Sequence, residues 1–200
     1  MFGNDSLFLQ RFLKGLGYYE GELDGDCGPL TNAALRLFEQ ETESIANRCG
    51  RCDQRSETKI ATLHPKAQEL ARQFLEAAAA SQELATAGIV VKIISGTRTY
   101  QEQSELFAQG RTKPGNIVTK ARAGQSNHNF GMAWDVGLFS GNEYLSESPL
   151  YDVVGGIGKQ LGLEWGGDWA SFPDRPHFQL KTEIALGEVR NRFEQGQAFV

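Results

Sequence analysis

Cysteine is scarce in this chain. Its three copies, Cys27, Cys49 and Cys52, are an odd number, which excludes a disulfide scaffold. Cys49 and Cys52 form a lone CGRC in a polar, basic stretch. With no second pair to complete a zinc knuckle they read as loop thiols, a local disulfide being the alternative. Long apolar runs are missing too: stretches such as LEAAAA and GIVVKII are far too short to span a bilayer. There is no basic excess, since the formal net charge is −5, and this argues against a general nucleic-acid binder. The N-terminal MFGNDSLFLQRFLKG lacks a basic segment followed by an apolar core and a small-residue cleavage site, so no secretory signal is expected. The protein is expected to be made in the cytoplasm.

What is present is an ordinary globular composition, 40% hydrophobic and 22% charged, in a chain of 200 residues. That length holds one sizeable core, or a small module and a medium one. The acidity is uneven. Residues 1–45 carry three bases (Arg11, Lys14, Arg36) against eight acids, whereas residues 46–60 carry four bases against two acids. The concentration of negative charge at the N-terminus suggests a separate module there.

Histidine occurs three times, and two copies fall in segments that read as halves of one metal site. SNHNFGMAWD carries His128 and Asp135; FPDRPHFQL carries Asp174 and His177. A catalytic zinc needs about three protein ligands and an open position, and imidazole with carboxylate suits it. His128, Asp135 and His177 are the candidate ligands. Pro173 and Pro176 bracket Asp174 and stiffen the approach to His177 through their fixed φ. A carboxylate near the metal but not on it can serve as general base, with burial raising its pKa, and Asp174 is the candidate. A developing oxyanion needs a further positive partner, for which Arg98 in SGTRTYQEQ is well placed. His64, in LHP at a helix start, is left outside the site.

The periodicity predicts a helix over residues 7–15, a glycine-rich loop with Gly21, Gly25, Gly28 and Pro29, and a helix over 31–40. Residues 41–60 are polar and aperiodic, which predicts a linker or exposed insertion. Pro65 opens a long helix over 65–84; GIVVKIIS is a buried strand; TYQEQSELFAQG is a helix ending at Gly110. MAWDVGLF alternates as a strand, YDVVGGIGKQLG is another helix, and HFQL a closing strand. Helices around a small antiparallel sheet make an α+β domain. The expected division is a helical module over 1–45, a linker over 46–60 and a catalytic domain over 61–200.

Two resemblances are carried by these segments. LQRFLKGLGYYEGELDGDCGPLTNAALRLFEQ resembles the small all-α peptidoglycan-binding module appended to many cell-wall hydrolases, with Cys27 departing from a position where a bulkier apolar residue is usual. SGTRTYQEQ, GRTKPG, GQSNHNFGMAWD, GLEWGGDW and DRPHFQL, in this order, resemble the D-Ala-D-Ala-metallopeptidase family of zinc peptidases, related in fold to the hedgehog signalling domain. This resemblance covers roughly residues 61–180. It implies Zn2+ held by His128, Asp135 and His177, Asp174 as base, Arg98 as substrate and oxyanion partner, and Ser126 and Gln103 as substrate or supporting contacts. Aspartate three residues before the last histidine resembles the L-alanyl-D-glutamate endopeptidases, including phage endolysins; the related carboxypeptidases and dipeptidases typically have glutamate there. The implied activity is hydrolysis of the peptidoglycan stem peptide at L-Ala–D-Glu, by an endolysin or secreted wall-degrading effector. The alternatives are a D-alanyl-D-alanine carboxypeptidase and an inactive, zinc-containing wall-binding protein. The expected partner is peptidoglycan, with no nucleic acid and no membrane insertion. A monomer is expected, reaching the wall through a holin or specialised secretion system.

Overall fold

The computed structural model describes residues 2 and 5–200. The architecture is α+β, a small antiparallel sheet with flanking helices. Contacts divide the chain into two compact units. One comprises Met1–Glu41, Thr97–Gly131 and Thr182–Val200; the other comprises Thr42–Gly96 and Met132–Lys181. The N-terminal segment thus shares a unit with two later ones.

The first unit begins with α1 (Ser6–Gly15), whose N-terminus is capped by the Asp5 side chain accepting from the Phe8 amide at 2.9 Å. Its buried face presents Phe8, Leu9, Phe12 and Leu13. These join an aromatic core in which Phe8 lies 5.1 Å from Phe193 of α8 (Leu186–Glu194) and 5.9 Å from Tyr100 of α6 (Tyr100–Ala108). Edge-to-face and tilted ring pairs at such separations add to the area they bury. Gln10, fully buried on the same helix, holds the glycine-rich loop: its amide donates to Asp24 Oδ1 at 2.6 Å and to the Asp26 carbonyl at 3.0 Å, and its Oε1 accepts from the Gly25 amide at 2.8 Å. Helix α6 carries a capping box, Thr99 with Glu102.

The following helix, α2 (Pro29–Cys49), is longer than expected. Between Phe38 and Ile45 the residues are polar, so the apolar period fades from the sequence, yet Phe38, Ile45 and Ala46 are all buried. Residues 46–60, expected as a linker, are therefore mostly helical: α2 runs to Cys49, and α3 (Gln54–Ile60) follows, capped by Asp53 and burying Ser56 and Ile60. The CGRC motif spans the end of α2 and this short connection, and all three cysteines are free thiols.

In the second unit the strands are β1 (Ile89–Ser95), β2 (Ala133–Ser140), β3 (Glu143–Leu145), β4 (Glu164–Trp165) and β5 (His177–Gln179), in the order β1-β2-β5-β4. One edge of β2 pairs with β1; the other is shared, with β5 opposite residues 133–135 and β3 opposite 138–140. The predicted helix over 65–84 is two helices, α4 (Pro65–Ala79) and α5 (Gln82–Thr86), because Ser81 breaks the first and caps the second. From α4, Phe74 stacks 4.7 Å from Phe178 of β5 and 6.4 Å from Trp134 of β2. The glycines of α7 (Leu150–Gln160) let this helix lie close against the same rings: a Cβ at Gly158 would fall 2.4 Å from Phe178 and one at Gly155 2.5 Å from Trp165. No helix of the described residues is long and apolar enough to cross a membrane.

Candidate metal centre

Asp135 and His177 are direct partners in the antiparallel ladder of β2 and β5. Residues directly opposite in such a pair project from the same face, a few ångströms apart. His177 Nδ1 accordingly stands 3.2 Å from Asp135 Oδ1. Asp135 also pairs with Ser95 on its other side, just where a register shift between Ile93 and Ser95 bends β1. His128 arrives from a 3-10 turn (Asn127–Phe130) immediately before β2, and Gly131 closes that turn with φ of 66°. A left-handed residue is needed there for the chain to turn back into the strand, which favours glycine. One donor atom from each of His128, Asp135 and His177 lies within 4.8 Å of the others.

The donor set fits a zinc ion on chemical grounds. Two atoms bound to one tetrahedral zinc at about 2.0 Å sit about 3.3 Å apart, close to the 3.2 Å between His177 and Asp135. The other ring nitrogen, Nε2, is 2.9 Å from Gln179 Oε1. A neutral imidazole donating there turns the Nδ1 lone pair toward the carboxylate, and two acceptors face each other unless a cation relieves them. Burial of the His177 ring lowers its proton affinity, but hydrogen bonding and charge from Asp135, with Gln179 and Asp174 adding to them, outweigh it and raise its pKa above the ordinary imidazole value.

The remaining sequence candidates take definite places. The Arg98 amide donates to the His128 carbonyl at 3.0 Å, and Asn129 Nδ2 donates back to the Arg98 carbonyl at 2.9 Å. Arg98 is thereby tied to the turn that carries a ligand. Its guanidinium donates to Gln103 Oε1 at 3.1 Å. Gln103 is fully buried and donates in turn to the Ala121 carbonyl at 2.9 Å, so it holds Arg98. Asp174 sits before β5, its carbonyl accepting from the His177 amide at 3.1 Å and its own amide donating to the Gly166 carbonyl at 2.9 Å. Ser126 starts the turn that carries His128, its carbonyl accepting from the Asn129 amide at 2.9 Å.

Several neighbours escaped the sequence reading. Gly166 leaves space for the site: a Cβ there would come 2.5 Å from the Asp174 carbonyl and 3.0 Å from His177 Cβ. The Trp169 ring lies 4.9 Å from the His177 imidazole, and the Trp165 indole donates to the Arg175 carbonyl at 2.8 Å, steadying the loop. Gln179 and its partner Glu164 complete the set at 2.6 Å. Gln179 alone had a readable signal, lying two residues from His177 on one strand and hence on the same face.

A profile of the peptidase family described as D-alanyl-D-alanine carboxypeptidase matches residues 119–180, the segment that holds His128, Asp135, Asp174 and His177. The chain belongs to this family of metallopeptidases, an assignment that one relative carries across 73% of its own length. That relative is the peptidoglycan L-alanyl-D-glutamate endopeptidase CwlK of Bacillus subtilis (strain 168), 45% identical over 130 residues and 59% of this chain. Among solved structures, the Serratia marcescens L-Ala D-Glu endopeptidase ChiX aligns with 66% of this chain and 90% of its own, at a TM-score of 0.47 and 24% identity.

Proposed function

We propose that this protein is a zinc-dependent peptidoglycan endopeptidase that hydrolyses the L-Ala–D-Glu bond of the stem peptide. The observation that carries the reading is the His128, Asp135 and His177 cluster in a chain 45% identical to an endopeptidase of that specificity. Zinc held there would supply a Lewis acid and lower the pKa of a bound water to about 7. Asp174 takes the proton of the attacking water and delivers it to the departing D-Glu nitrogen as the C–N bond breaks. Arg98 offsets the charge that grows on the carbonyl oxygen, and Gln103 keeps its guanidinium in place. Ser126, at the start of the His128 turn, is a substrate or supporting contact.

Residues 1–45 are proposed to hold the enzyme on the wall. Tethering to an insoluble polymer raises the local concentration of the bonds to be cut. Their acidity gives no help toward anionic wall polymers, so recognition rests on shape and hydrogen bonding.

The test is mass spectrometry of purified sacculi digested by the protein. Release of peptides that begin with D-Glu supports the endopeptidase; loss of a single terminal D-Ala supports the second reading, a carboxypeptidase, which the family description favours. Asp174→Ala should cut kcat by about 10²–10⁴ while zinc is retained. Undiminished turnover in that variant would remove Asp174 from the mechanism.

A further inference from the structure

The face of the sheet that holds Asp135 and His177 continues in a hydrogen-bonded row across β5 to β4. Gln179 lies two residues beyond His177, and Glu164 is its direct partner in the β4–β5 ladder. The contacts are His177 Nε2 to Gln179 Oε1 at 2.9 Å, then Gln179 Nε2 to Glu164 Oε2 at 2.6 Å.

We infer that Glu164 is a positioning residue that sets, through Gln179, which nitrogen of His177 faces the metal. The inference rests on the zinc reading above, and its logic is one of donors and acceptors. A carboxylate only accepts, so the Gln179 atom 2.6 Å from Glu164 must be its NH₂ group. The amide is planar, and its oxygen is then turned toward His177. An amide oxygen also only accepts, so His177 Nε2 must carry the proton it donates. Nδ1, on the side of Asp135, is left as the nitrogen whose lone pair can reach the metal. Removing Glu164 takes away the acceptor that fixes this orientation: the amide can then turn over, present its NH₂ to Nε2 and favour the opposite tautomer, which places the proton on Nδ1. The carboxylate therefore acts on the choice of ligating nitrogen through Gln179. Partners of this kind typically change metal affinity by about 10–100-fold when removed.

Two single variants and one double variant test it. Zinc affinity is measured on chelator-stripped protein by competition with a chromophoric chelator, and the protonated nitrogen of His177 is read by ¹⁵N NMR of the zinc-loaded protein. Glu164→Gln and Gln179→Leu should each weaken zinc binding by about 10-fold or more. In the parent the proton should be seen on Nε2. The double variant Glu164→Gln with Gln179→Glu rebuilds the row in reverse. The amide introduced on β4 can donate to the carboxylate introduced on β5, and that carboxylate can accept from Nε2. The double variant should recover affinity to within about 3-fold of the parent, a rescue that a purely structural role would not produce. Unchanged affinity in both single variants, a double variant weaker than either single, or the proton found on Nδ1 would overturn the inference and leave the zinc reading standing. A parent protein that binds no zinc would overturn both.

Discussion

Two buried histidines, in two regions of the sheet-containing unit, show what separates a candidate site from a structural fixture. His64, 8% exposed, caps the start of α4; His177, 5% exposed, lies on β5. Burial alone disfavours the charged imidazole in both. At His64 the surroundings push the same way: Nδ1 accepts from the Lys66 amide at 3.2 Å, the positive end of the helix and the Lys66 charge lie nearby, and the pKa falls to about 4. At His177 a carboxylate faces one nitrogen and Gln179 the other, and the pKa moves the opposite way. Only the second is surrounded by groups that welcome a cation.

The contrast can be broken first at its strongest point. Asp135→Ala removes the group that distinguishes His177 from His64, and it should abolish zinc retention and reduce sacculus digestion to background. Metal analysis after dialysis checks this, and stoichiometric zinc in the variant would refute the ligand assignment.

Acid should separate the two regions next. His64 has a folded pKa of about 4 against an unfolded value of 6.5, so its contribution to stability is complete above pH 6.5 and is lost as the pH falls toward 4. The difference corresponds to about 3 kcal/mol. His64→Asn keeps a side-chain cap and should flatten the stability curve across that window; denaturant unfolding at several pH values would reveal an unaltered slope if His64 is not the group responsible.

A smaller effect is expected at Gly166. The Cβ of Gly166→Ala would press on the Asp174 carbonyl and on His177, costing about 1–3 kcal/mol by overpacking and displacing both residues. Melting temperature and kcat should fall together, whereas a comparable clash introduced beside His64 should lower the melting temperature alone. Last, Gln10→Leu removes the hydrogen bonds that Gln10 makes with the Gly25 amide and the Asp26 carbonyl and should cost about 1 kcal/mol, seen as a lower denaturation midpoint.

The site was more legible than the fold around it. His128, Asp135 and His177 stand out because histidine is rare here and the types match zinc's preferences, and the structure gathers the three. The strand GIVVKIIS was readable from its β-branched residues, but it is an edge strand rather than the buried one expected, with Val91 and Ile93 buried and Val90 exposed; the α1 stripe was readable from its apolar period. Helix α2 beyond Gln40 and helix α3 were not, because polar residues interrupt the period and burial of Ile45, Ser56 and Ile60 is decided by neighbours distant in sequence. The break between α4 and α5 was marked only by Ser81, a cap that becomes informative once the next helix is known.

By itself, then, the sequence determined the inventory: which side chains can bind a metal, carry a proton or cap a helix, since those capacities belong to the residue types. Tertiary structure alone decided the pairings. That Asp135 lies opposite His177 and that Glu164 reaches His177 through Gln179 are matters of strand register, and a shift of one residue would send each side chain to the other face of the sheet; that Gly166 leaves room for Asp174 is decided by how the loop before β5 folds over the turn after β4.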